Sequence, residues 1–167
     1  MKTSRGFTIV ELLIVIVVIG ILAAIVIVAF NGVQNRAYAT SVKSDLATLA
    51  KRIEAAKIDS PTEVYPTSSM ITSTSATGLG FKFTNNAYVT NFNNLAYCRS
   101  SDGKTYALAA RAKGDSAFYI TSEKGGVSDY TWAWTGAAAT TCSNMMSTDY
   151  VNAWGHTGTG GWAGLST

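Results

Sequence analysis

The chain has 167 residues, enough for one domain with a real core besides a membrane-length segment. Charged residues are only 14% and the formal net charge is +3, which excludes a strong field for nucleic acid or an acidic substrate. A single histidine excludes a His-rich metal site, and no Cys/His spacing fits zinc.

The first six residues, Met1-Lys2-Thr3-Ser4-Arg5-Gly6, are short and basic. Phe7 follows, then Glu11, then nineteen uncharged and almost wholly apolar residues from Leu12 to Phe30. That run is about long enough to cross a hydrocarbon core of ~30 Å as a helix rising 1.5 Å per residue. Lys2 and Arg5 ahead of it predict a cytoplasmic N-terminus, with the rest of the chain outside. A secretory signal has a shorter apolar region that ends at a small-residue cleavage site, and it tolerates a glutamate poorly. A carboxylate at the edge of a membrane segment is expensive unless something pairs with it. A cut after Gly6 would supply the partner, because the new α-amino group of Phe7 is a cation close to Glu11.

The stretch Gly6-Phe7-Thr8-Ile9-Val10-Glu11-Leu12-Leu13-Ile14-Val15-Ile16-Val17-Val18-Ile19-Gly20-Ile21-Leu22-Ala23-Ala24-Ile25 resembles the N-terminus of type IV pilins and their pseudopilin relatives. The resemblance implies cleavage between Gly6 and Phe7 by a prepilin peptidase, with N-methylation of Phe7. It implies a single-pass membrane protein before assembly and an extracellular filament afterwards. The implied partners are other copies of the chain, the peptidase and an assembly platform in the membrane. Phe7 and Glu11 are the expected assembly residues, the carboxylate pairing with the amino group of a neighbouring copy. One departure is that the family often has proline where Val28 stands.

Past the apolar half (7–30), residues 31–58 continue as an amphipathic helix. Tyr38, Val42, Leu46, Leu49, Ile53 and Ala56 recur at spacings of three and four, which makes one stripe. Lys43, Asp45, Lys51, Arg52, Glu54 and Lys57 take the other faces, read as solvated. Asn31-Gly32 is the expected weak point, since glycine costs about 1 kcal/mol against alanine inside a helix. Pro61 and Pro66 prevent continuation beyond about Ile58. Residues 59–94, rich in Ser, Thr and Asn with Phe81, Phe83, Tyr88 and Phe92, form the connection to a sheet over 95–123.

Three short strands are predicted, Leu95–Arg99, Thr105–Ala112 and Ala117–Glu123, with Asp102-Gly103 as a hairpin signal. Tyr106, Leu108 and Ala110 share one face, as do Phe118 and Ile120, and this face is expected on the helix. The fold class is therefore α+β, a long N-terminal helix packed on a small antiparallel meander. Residues 124–167 read as a Trp- and Gly-rich C-terminal segment.

Cys98 and Cys142 both lie in the exported part, and an even count in an oxidising compartment predicts a disulfide. Trp132, Trp134, Trp154 and Trp162 are candidate surface-binding residues, because Trp offers rigid area with a polar handle. The plainer alternative is that they pin a tail with little else to bury. His156, in a Gly-rich tail, is poorly suited to hold a catalytic base. Gly158-Thr159-Gly160-Gly161-Trp162-Ala163 loosely fits a phosphate-cradle pattern but has no helix after it. Lys43, Lys51, Arg52, Arg99 and Arg111 are neither clustered nor interleaved with aromatics, a weak basis for DNA contact. No catalytic residue, metal or cofactor is expected. The reading is a structural filament subunit. Its rivals are a minor pilin, a type II secretion pseudopilin, and a membrane-anchored Trp-rich module for DNA uptake or adhesion.

Overall fold

The computed structural model describes residues 7–68, 71, 79, 83–89, 93–146, 149–157 and 161–165. The chain divides into two compact units, residues 1–36 and 37–167. Helix α1 runs from Ile9 to Ile58, fifty residues and about 75 Å at 1.5 Å per residue. It passes through Asn31-Gly32 without a break. The ladder tolerates one glycine because helical residues flank it on both sides.

In the first unit the helix is apolar all round from Leu12 to Phe30, and the side chains from Phe7 to Val33 are exposed. In the second unit its character changes. Val42, Leu46, Leu49, Ala50 and Ile53 are buried, at the predicted three- and four-residue spacings. They form one cluster with Leu95, Tyr97, Tyr106, Leu108, Ala110, Phe118 and Ile120 of the sheet.

The strands are β1 (Asn93–Ser100), β2 (Tyr106–Arg111), β3 (Ala117–Thr121), β4 (Ser128–Asp129), β5 (Tyr150–Thr157) and β6 (Gly161–Leu165). They form a six-stranded antiparallel sheet in the order β4-β3-β2-β1-β5-β6. The sheet thus extends beyond the predicted three-stranded meander. The C-terminal segment is no loose tail, since β5 lies beside β1 and pairs Trp154 with Tyr97. Helix α2 (Ala138–Met145) covers the sheet face opposite α1, where Ala96, Cys98 and Ala107 meet Ala138 and Cys142. The alternation of β1 serves both layers: Leu95 and Tyr97 face α1, and Ala96 and Cys98 face α2.

The β1–β2 turn uses Asp102-Gly103 as expected. Gly103 has φ +71°, a left-handed conformation that glycine adopts at no steric cost. The Asp102 carboxylate accepts from the Ser100 hydroxyl (2.6 Å) and the Lys104 amide (2.9 Å). Those two bonds, the hydroxyl's first, hold its pKa below the ordinary carboxylate value.

Candidate functional site: the helix terminus, the staple on α1 and the aromatic patch

The start of α1 carries the expected assembly residues. Gly6 lies outside the described residues, as does the rest of 1–6. Phe7 precedes the helix and is 84% exposed. Thr8 and Glu11 form a reciprocal cap. The Thr8 amide donates to Glu11 Oε2 at 2.9 Å, and the Glu11 amide donates to Thr8 Oγ1 at 3.3 Å. The Thr8 hydroxyl donates to the same Oε2 at 2.8 Å. This capping box satisfies orphan amides at the helix start and sets a carboxylate against the positive end of the dipole. All three bonds fall on Oε2 or on Thr8, so Oε1 keeps its lone pairs for another donor. The signal was in the sequence as Thr-x-x-Glu before an apolar run.

The polar residues on the second half of α1 do more than face solvent. Asp45 Oδ2 accepts from the Thr84 amide (2.8 Å) and the Tyr88 hydroxyl (2.9 Å), and Oδ1 accepts from Thr84 Oγ1 (3.2 Å). Arg52 donates to the Leu79 carbonyl at 2.6 Å. Glu54 accepts from the Tyr65 hydroxyl at 3.0–3.1 Å. Lys57 lies 4.4 Å above the Tyr65 ring, and Lys43 sits 4.5 Å above Phe118 while pairing with Asp129. The helix therefore staples the connection and one sheet edge to itself. Period alone could not show this, because the partners are far along the chain.

Of the four tryptophans, Trp134 is half-buried and its indole N–H donates to the Asn93 carbonyl at 2.9 Å. The bond ties the segment between β4 and α2 to β1. Trp132 is 43% exposed, with its ring edge-on to Tyr119 (5.9 Å) and Tyr130 (5.2 Å). Tyr130 is buried, and its hydroxyl accepts from the Asn144 amide at 2.8 Å. Trp154 and Trp162 lie on the paired strands β5 and β6, and their side chains are outside the description. His156 is paired with Leu95 and Trp162 in the ladder. Residues 158–160 of the glycine-rich stretch lie outside the described residues. Among the described residues no group of three His, Cys, Asp or Glu side chains could hold a metal.

Cys98 on β1 and Cys142 on α2 are joined in a disulfide, with Cα atoms 5.6 Å apart and both residues buried. The bond ties the α2 layer to the centre of the sheet.

Comparison with known proteins agrees with this N-terminus. Residues 1–27 match the family model of the prokaryotic N-terminal methylation motif. The chain is similar to the type IV major alpha-pilin of Moraxella bovis, 39% identical over 64 residues, 38% of this chain and 40% of that protein. It is similar to the type II secretion system core protein G of Klebsiella pneumoniae, 37% identical over 67 residues, 40% of this chain and 46% of that one. A fimbrial protein of Pseudomonas aeruginosa is 39% identical over 59 residues, 35% of this chain and 38% of its own length. The chain thus spans less than half the length of the curated relatives it matches. No solved structure matches. The long apolar-headed helix begins with a prokaryotic N-terminal methylation motif and continues into an α+β unit. More particularly, its N-terminal part is similar to the corresponding part of type IV pilins and of type II secretion core protein G.

Proposed function

We propose that this chain is a structural subunit of a type IV pilus-like filament and not an enzyme. A prepilin peptidase cuts between Gly6 and Phe7, Phe7 is methylated, and the subunit waits as a single-pass membrane protein with its N-terminus cytoplasmic. An assembly platform then draws it into an extracellular helical filament. The observation that carries this reading is the first half of α1, whose side chains from Phe7 to Val33 are apolar nearly all round and uncovered. A helix of that kind must be buried in lipid or among its like. Transfer from lipid into a bundle of identical helices keeps it buried. The Glu11 carboxylate, with Oε1 unused by the cap, would then accept from the Phe7 ammonium of a neighbouring copy. A misplaced copy would leave a buried charge unpaired, which makes the register selective.

The test is electron microscopy of material sheared from cells, with mass spectrometry of its main band. A chain starting at methylated Phe7 in abundant filaments supports the reading. A mature terminus near Ala29 would sink it in favour of a secretory signal. The similarity to core protein G favours a second reading, a secretion-system pseudopilin. That assignment would show as short or absent surface filaments and loss of secretion when the chain is deleted.

A further inference from the structure

Among the described residues of the unit 37–167, two large apolar side chains are well exposed, Ile58 (81%) and Trp132 (43%). They belong to complementary shapes. Trp132 projects from a set of rings. Ile58 lines a largely apolar groove of about 540 Å³ between α1 and the 121–127 loop, with Ala47, Ala50, Ala55, Ile120 and Val127. Its helix side combines three alanines with Lys51, Glu54 and Ile58, and its loop side includes Gly125 and Gly126. It has room for an indole ring.

The ring and the groove lie on opposite faces of the sheet. Phe118 and Ile120 of β3 face α1, whereas Tyr119 between them faces away and meets Trp132. A chain therefore cannot fill its own groove with its own Trp132. The groove wall carries one cation, Lys51, and one carboxylate, Glu54, which already accepts from the Tyr65 hydroxyl. Three lysines punctuate the second half of α1, at 43, 51 and 57. Lys43 lies over the Phe118 ring and Lys57 over the Tyr65 ring. Lys51, on the groove wall, has neither a ring nor an ion pair among the described residues. A π face brought into the groove would meet a cation there.

We propose that successive copies meet knob into hole, with Trp132 of one copy seated in the groove of the next beneath Lys51. This rests on the filament reading above and names the contact between folded units. Such a contact is heterologous: each copy offers both surfaces, so it repeats from copy to copy and, in a filament, runs as an open helical chain. The Tyr119 and Tyr130 edges hold the indole rigid, which lowers the entropic cost of docking it.

The test uses full-length chains as the sole copy in cells. Trp132→Lys sets one cation against another and should lower sheared-filament yield about tenfold, the effect expected of a central aromatic anchor. Lys51→Glu in the same chain should restore it, which a folding defect would not allow. The level of cleaved, disulfide-bonded subunit in the membrane should stay constant. In filaments carrying Ala133→Cys with Ile58→Cys, a short bis-maleimide should give a ladder of dimers, trimers and higher species. Each single variant should give none. Filaments at wild-type yield with Trp132→Lys, or normal filaments without a ladder, would overturn the contact while leaving the filament reading intact. Normal filaments that lose binding to a glycan array with Trp132→Lys would also overturn it, the ring then being a sugar platform. Absence of filaments from the wild-type chain would overturn the filament reading and this inference together.

Discussion

Thr8 and Glu11 hold each other at the helix start, and this changes what a substitution there should do. Glu11→Ala removes the carboxylate from the cap and from any ammonium of a neighbouring Phe7. Alanine is cheaper in lipid than a carboxylate, so membrane insertion and cleavage should proceed nearly normally. Assembly should fail, with processed subunit accumulating in the membrane and filament incorporation falling by about an order of magnitude or more. Mass spectrometry of sheared filaments reads this directly, and wild-type incorporation would refute the charge pairing. Thr8→Val separates the two roles. It keeps the amide bond to Oε2 and loses the hydroxyl, at about 0.5–2 kcal/mol of cap stability, while Thr8→Ser should behave as wild type. A second residue-scale prediction concerns Asp45, which gathers three donors from Thr84 and Tyr88. Asp45→Ala leaves the Tyr88 hydroxyl buried without an acceptor, which costs about 1–3 kcal/mol. Urea unfolding of the chain in detergent should show a lower midpoint with an unchanged slope, and an unchanged midpoint would refute the staple.

The elements were legible to very different degrees. Helix α1 was readable to its last residue, because an uncharged run and then a stripe at 42, 46, 49 and 53 speak through period alone. The strands β1 to β3 were readable from β-favouring residues and the Asp-Gly turn, with boundaries off by one or two residues. The capping box was present in the letters but hidden behind a more conspicuous charge. Helix α2 was not readable: Ala-Ala-Thr-Thr-Cys-Ser-Asn-Met has no side-chain cap bond, is only eight residues long and follows its two alanines with five weak helix formers, so packing and the disulfide hold it. Strands β5 and β6 carry glycines that argue for a loop, and pairing with β1 overrides that local preference. The aromatic knob and its groove needed the sheet's two faces to be known before either had meaning. At this scale the disulfide is the sharpest test. Its loop spans a separation of 44 residues. On the chain-entropy model the bond contributes about 3–4 kcal/mol. Replacing Cys98 and Cys142 together by alanine should lower stability by that order and expose the 138–146 segment to proteolysis, while α1 stays helical. Limited proteolysis with peptide mapping checks it, and equal protection of that segment in both chains would show that packing alone suffices.

At the scale of the whole folded unit, four phenols tie the connection, the sheet and α1 together, and all four are shifted the same way. Burial raises the pKa of Tyr88, Tyr97 and Tyr106; charged or phenolic neighbours add to it at Tyr88 and Tyr106, whereas at Tyr97 the Arg99 cation opposes it in part. Tyr65 is pushed up from 10.0 to about 12, by burial first and then by its bond to Glu54. A phenol with a raised folded-state pKa binds its proton more tightly in the native state than in the unfolded one. Its contribution is therefore complete below the unfolded value and declines as pH rises through the folded one. Asp102 works in the opposite sense. Its pKa is lowered, so its contribution is present above the ordinary carboxylate value and is lost as pH falls through the depressed one. The two together predict a broad plateau with a gentle acid edge, set by one exposed turn, and a steep alkaline edge. The alkaline edge is the stronger prediction because the phenols are coupled through one core: Tyr65 and Tyr106 are in edge contact at 4.6 Å, and the Tyr97 hydroxyl donates to the Pro66 carbonyl. Loss of the first proton weakens the packing that holds the others. Stability should thus begin to fall above pH 10, and part of the phenolate absorbance should appear only as the near-ultraviolet dichroism collapses. Tyr65→Phe, which removes the ionisable group nearest the surface of that set, should move the alkaline midpoint upward. Smooth titration of every tyrosine below pH 11 with the dichroism intact would refute the coupling between these phenols and the fold.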